Sequence, residues 1–146
     1  MTYHDSFQHV IKRYSRKLML IKLDKNVRCK CHLPGSNDPD PACPKCLGTG
    51  YRIKIYEING APQTSTNPTT FRQTNQIAII TYFYLLDDVV IDRDDLIVYD
   101  NQAFIVENTA RNVGFNARFC YTKAAGIPKR LDNNIFWINY HNIIGS

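Results

Sequence analysis

Four of the chain's five cysteines fall within eighteen residues, as Cys29-Lys-Cys31, eleven intervening residues, then Cys43-Pro-Lys-Cys46. Secreted disulfide scaffolds spread an even number of cysteines along the chain, whereas one tight cluster reads as a metal site. Zinc takes four soft ligands in a tetrahedron, and two closely spaced pairs on adjoining turns supply that arrangement. The second pair runs on into Leu47-Gly48-Thr49-Gly50, where the glycines let the backbone fold under the sulfurs. The first pair, with one residue between its cysteines, is tighter than the usual two to four, and His32 is an alternative ligand to Cys31. With Cys29, Cys31, Cys43 and Cys46 all ligating, no position stays open, so the expected Zn²⁺ is structural. A disulfide pair, or cysteines without a ligand role, remain alternatives. A Cys-x-x-Cys redox centre at Cys43 and Cys46 would want a βαβ context that the sequence lacks.

Residues 29–50 hold too few apolar side chains for a core of their own, so bound metal would have to supply the folding free energy. Four thiolates around a dication carry −2, and Arg28, Lys30 and Lys45 stand among the ligands to offset it. The wider charge is uneven. Residues 1–54 carry eleven Lys/Arg and four Asp/Glu, residues 55–146 seven and nine. Lys12, Arg13, Arg16 and Lys17 are the candidates for a face toward nucleic acid or another acidic partner; a solvated helix face explains them equally well.

Around the cysteines the chain divides into an N-terminal helix (1–25), a zinc-ribbon-like module (26–54) and a β-rich domain (55–146). Phe7, Val10, Ile11, Tyr14, Leu18 and Ile21 recur at helical steps. Tyr51–Tyr56 reads as a strand leaving the module. Residues 59–76, rich in Asn, Thr, Gln and Pro, read as a long polar loop that orders on assembly. Ile77–Leu86 reads as one central strand, and Asp87, Asp88, Asp92, Asp94 and Asp95 as a solvated turn. Leu96–Tyr99 and Ala103–Val106 form a hairpin pattern about Asp100-Asn101-Gln102. Asn112–Gly114 marks a turn before a strand over Phe115–Thr122, in which Cys120 is a small buried hydrophobe. Ile135–Tyr140 reads as a closing strand. Together these predict a mainly β fold, a small barrel or sandwich, with a helix in front and a cysteine module inserted.

Several functional classes find no support in the sequence. The nearly unbroken apolar run Ile77–Leu86 is far shorter than the ~20 residues of a membrane span. Cations interrupt the opening segment where a signal peptide needs an apolar core, so secretion is not expected. A Gly-rich phosphate loop, a His-Glu-x-x-His motif and a nucleophile elbow are all missing, which makes an enzyme the less economical reading.

Cys43-Pro-Lys-Cys46-Leu-Gly-Thr-Gly50 resembles the zinc knuckles of J-domain co-chaperones, which carry several such repeats. The whole pattern is more similar to a class of small tailed-bacteriophage virion proteins. These have a short N-terminal helix, a two-pair cysteine module ending in Gly-Thr-Gly, and a β-rich remainder. Val90-Ile-Asp92, Asp94-Asp-Leu-Ile-Val98 and Phe104-Ile-Val106 likewise resemble the phage head-closure, stopper or head–tail connector proteins. The acid–glycine turn of that family stands here as Asp94-Asp95. The resemblance implies a non-catalytic homo-oligomeric ring of six or twelve subunits in the virion neck. Made in the host cytoplasm, it would sit between portal and tail, close the DNA channel and offer a tail-attachment platform. Non-specific contact with packaged DNA would come with that position. The alternative is a nucleic-acid-binding zinc-ribbon protein, in which cations and aromatics share one face.

Overall fold

The structure, a computed structural model, describes residues 3–64, 69–71, 76–87, 89–113, 119–129, 131 and 134–145. Helix α1 (Tyr3–Tyr14) leads into strands β1 (Arg16–Arg28), β2 (Tyr51–Thr64), β3 (Thr69–Phe71), β4 (Gln76–Ala78), β5 (Thr81–Leu85), β6 (Leu96–Tyr99), β7 (Gln102–Val113) and β8 (Phe119–Pro128), and helix α2 (Ile135–Ile144) follows. Six strands close a barrel in the order β1-β2-β5-β8-β7-β6, while β3 and β4 pair as a separate two-stranded sheet. The expected mainly β fold with a helix in front is therefore present, as a barrel. Neither described helix is long and apolar enough to cross a membrane.

Alternation sets the barrel's inside. In β5, Thr81, Phe83 and Leu85 are buried while Tyr82 and Tyr84 are half-exposed, as the two-residue period of a strand requires. Leu18, Leu20, Ile58, Phe83, Leu85, Ile97, Phe104, Val106 and Ala124 meet in the core with Ile91. Phe83 and Phe104 meet edge to face, with ring centroids 5.2 Å apart. Gly126 lets those rings come close, because a Cβ there would lie 3.0 Å from the Phe104 Cβ and 3.1 Å from the Phe83 ring.

Pairing is antiparallel throughout the β2/β5, β5/β8, β7/β8 and β6/β7 ladders. The β6–β7 hairpin turns on Asp100 and Asn101, both left-handed at φ 51° and 59°, which is the geometry of a two-residue primed turn. Register slips on β7 between Val106 and Asn108 mark a bulge. Asp95, expected in a solvated turn, is fully buried, and its Oδ2 accepts the Asp92 N–H at 2.8 Å. Asp94 takes φ 77° in the same turn, a conformation usually left to glycine.

Further expectations change. The helix ends at Tyr14 rather than running toward residue 25, closed by Ser15 Oγ donating to the Ile11 carbonyl at 2.9 Å. Leu18 and Ile21 belong to β1, whose buried positions 18, 20, 21 and 23 happen to extend the helical spacing. Ile77–Leu86 holds two strands, β4 and β5, divided at Ile79-Ile80. Much of the expected loop 59–76 is strand, since β2 reaches Thr64 and β3 and β4 pair Thr69 with Ala78 and Phe71 with Gln76.

The C-terminal segment is a helix, not a strand. Phe136 and Tyr140, four apart, stack on the buried face while Ile138 is exposed. β7 runs through Asn112 and Val113, where a turn was expected; residues 114–118 and the Cys120 side chain lie outside the described residues, as do 65–68 and 72–75.

Two compact units emerge: residues 1–20 with 56–129, and residues 21–55 with 130–146. The first contains most of the barrel strands. The second contains the cysteine module and α2, and β1 and β2 each pass from one unit into the other.

Candidate metal centre

The module is built from turns whose residues require them. Leu33-Pro34-Gly35-Ser36 closes with Ser36 N–H donating to the Leu33 carbonyl, and Gly35 at φ 75° fills the position that wants a left-handed residue. The Asp40 carboxylate accepts the Ala42 N–H at 2.9 Å, and its carbonyl accepts the Cys43 N–H at 3.0 Å. After Cys43 the chain turns tightly. Leu47 N–H donates to the Cys43 carbonyl, and Thr49 N–H to that of Cys46. Leu47, Gly48 and Gly50 all take positive φ, at 55°, 82° and 83°. A side chain at Gly48 would press on the Pro41 backbone at 3.2 Å, so this position requires glycine on two counts.

Thr49 fastens the turn as its hydroxyl donates to the Cys46 carbonyl at 2.7 Å. Cys29 N–H then donates to the Gly50 carbonyl at 2.9 Å, joining the two halves of the module.

The result is a four-sulfur cluster. The sulfurs of Cys29, Cys31, Cys43 and Cys46 all lie within 4.8 Å of one another. Cys29 Sγ stands 3.7 Å from Cys43 Sγ, and Cys31 Sγ 3.4 Å from Cys46 Sγ. Zn–S bonds of about 2.3 Å set tetrahedron edges of about 3.8 Å, so these two edges are within about 0.4 Å of that length and the others exceed it by no more than about 1 Å. The donor set fits a thiophilic ion such as Zn²⁺ or iron, and it fits as a closed site. His32 stays outside it, with Nδ1 3.2 Å from the Leu33 carbonyl oxygen.

Protons divide unevenly over the four sulfurs. Burial works against ionisation of Cys43, but the N–H groups of Cys46 and Lys45 outweigh it and draw the thiol down to about 7. Burial pushes Cys31 up to about 12; one N–H, from Asp40, opposes it, and the neighbouring thiols reinforce it. Burial also raises Cys46. Cys43 is thus the prepared first ligand, and a bound dication would displace the protons of the raised thiols.

Asn139 was not visible as part of this site. Its Nδ2 donates to the Ala42 carbonyl at 3.1 Å, tying α2 to the loop ahead of Cys43. Reading 135–140 as a strand hid that role.

The four other expected contact residues lie apart from the cysteines in sequence. Lys12 and Arg13 occupy the last turn of α1, Arg16 donates to the Ser15 carbonyl at 2.9 Å, and Lys17 pairs with Glu57 at 3.2 Å. All four are exposed. No protein-family model matches this chain, and no curated protein sequence matches it.

Proposed function

We propose that this chain is a structural subunit of a tailed-phage neck, one copy in a ring of six or twelve between portal and tail. In this reading the ring closes the DNA channel and presents a platform for the tail, and the ion held by the four sulfurs is a structural Zn²⁺. The observation that carries the reading is the joining of a closed β-barrel to a four-sulfur module through the same two long strands, β1 and β2. A set of four thiolates leaves no coordination position for a substrate, which favours a building block over a metal-dependent catalyst. The cysteine motif and the Val90–Val106 pattern supply the phage resemblance, and the β6–β7 hairpin gives that pattern a concrete geometry.

Cyclic assembly makes each contact heterologous, so one face of the barrel must recognise a different face of its neighbour. The test is light scattering of the purified chain alone and with its portal, followed by cryo-EM of the particle. A closed ring of six or twelve on the portal is the expected result. A chain that stays monomeric with portal, and is absent from the neck density, overturns the proposal. Tight DNA binding by that lone monomer would favour the zinc-ribbon alternative.

A further inference from the structure

We infer that the exposed face of α1 docks the acidic Val90 turn of a second copy of this chain. The inference rests on the ring reading above, which supplies the second copy, and it names the two faces that neighbours would join. Val90 is the most exposed large apolar side chain among the described residues, at 69%. It stands in a segment, 87–95, that holds five aspartates and one arginine. Asp92 and Asp94 are exposed and Asp87 is half-buried, while Arg93 pairs with Glu107 at 4.0 Å. Bonds to the barrel strands hold this turn at both ends. Asp87 Oδ2 accepts the Asn59 N–H at 2.8 Å, the Ile91 carbonyl accepts the Thr109 hydroxyl at 3.3 Å, and the Asp94 N–H donates to the Val106 carbonyl at 2.9 Å. Val90 is thus presented to solvent from an anchored turn.

The opposite charge stands on α1. Between His9 and Lys17 the sequence holds four cations and no acid. Val10 and Tyr14, one helical turn apart, are 53% and 57% exposed. Lys12 and Arg13 beside them are exposed as well, and the Arg13 guanidinium lies 5.9 Å from the centre of the Tyr14 ring. Lys17 is engaged by Glu57, so Lys12 and Arg13 are the cations assigned to the contact. Each face therefore has an apolar centre and a charged rim, and the two rims differ in sign. Acid on acid or base on base repels, so each face favours the other kind. Both faces are exposed in the single chain, so neither covers the other, and both belong to the compact unit of residues 1–20 and 56–129. One copy offers one of each, which lets the contact repeat from copy to copy.

The test is light scattering and sedimentation velocity of the full metal-loaded chain, alone and with portal. Wild type should self-associate at low salt, and raising the salt from about 50 to about 500 mM should weaken association by roughly tenfold or more. Lys12→Glu with Arg13→Glu, and Asp92→Lys with Asp94→Asn, should each weaken it by about 100-fold. Asparagine is the choice at 94 because that residue is left-handed, at φ 77°. An equal mixture of the two double variants should regain association, since each then meets a face of opposite charge; that recovery also shows both are folded. Val90→Ser should weaken association by about tenfold while the urea midpoint of the barrel stays put. The inference is overturned if wild type stays monomeric alone and with portal, if the variants associate as wild type does, or if the mixture fails to recover. It is also overturned if the helix variant loses its hold on portal or DNA while self-association survives. The two readings fail separately. Rings on the portal that ignore these substitutions sink this inference alone, whereas charge-swap recovery in closed dimers that never join the portal sinks the neck reading alone.

Discussion

Asp95 and Cys43 show how far a single side chain's surroundings can depart from what its neighbours in sequence imply. Asp95 stands among four other aspartates, and that density reads as a solvated turn; yet its carboxylate is fully buried and accepts the Asp92 N–H. Replacing it with alanine would take the acceptor from that part-buried N–H, at a cost of about 1 kcal/mol. Asp95→Ala should therefore lower the urea midpoint of the barrel, and Asp95→Asn, which keeps an oxygen in place, should recover part of the loss. An unchanged midpoint in the alanine variant would mean the carboxylate does not hold the turn. At Cys43 the consequence is a pH dependence. Its thiol ionises near 7, so above that pH it meets the metal already charged, and below it one additional proton must leave on binding. The plot of log affinity against pH should steepen by about one unit of slope as pH falls through 7. Competition with a chromophoric chelator between pH 6 and 8 measures it. A constant slope across that range would remove Cys43 as the prepared ligand.

Helix α2 is the element that the sequence concealed and the module depends on. Six residues from Ile135 to Tyr140 are apolar enough for a strand, and only the wider span to Ile144 gives the length of a helix, with Phe136 and Tyr140 four apart on its buried face. The same window problem stretched α1, because Tyr14, Leu18 and Ile21 keep a helical rhythm across a boundary that Ser15 closes. Elements with strong local chemistry were legible. The β6–β7 hairpin follows from two turn residues between short β-branched runs, and the four-sulfur cluster from cysteine spacing alone. What stayed hidden were partners distant in sequence, such as Asn139 and Ala42, ninety-seven residues apart. Asn139 is buried and donates to that carbonyl, so Asn139→Ala should cost about 1 kcal/mol or somewhat more. The expected signature is faster amide exchange in the Ala42–Thr49 turn with the barrel amides unaltered. If exchange quickens nowhere in that turn, the helix is not what steadies it.

Across the whole molecule, two compact units have different reasons to stay folded. The barrel unit buries a contiguous aliphatic and aromatic core, which needs no ion. Between Cys29 and Gly50, by contrast, the large aliphatic side chains are Leu33 and Leu47, and Leu33 is 38% exposed. Bound Zn²⁺ would add apparent free energy on the order of 10 kcal/mol, far more than one buried leucine contributes at about 1.5–3 kcal/mol. Removing the ion should therefore release the module while the barrel persists. With a strong chelator at pH 7, amides held by the sulfur-bearing turns, those of Cys29, Leu47 and Thr49, should lose protection first, and α2 should follow through its bond to Ala42. Amides in the β5–β8 ladder should keep theirs, and the urea midpoint of the barrel should move little. Hydrogen exchange with mass spectrometry resolves the two regions in one sample. Simultaneous loss of both would show that the barrel draws its stability from the sulfur centre, and protection of both would show that the cysteines hold their turns without an ion.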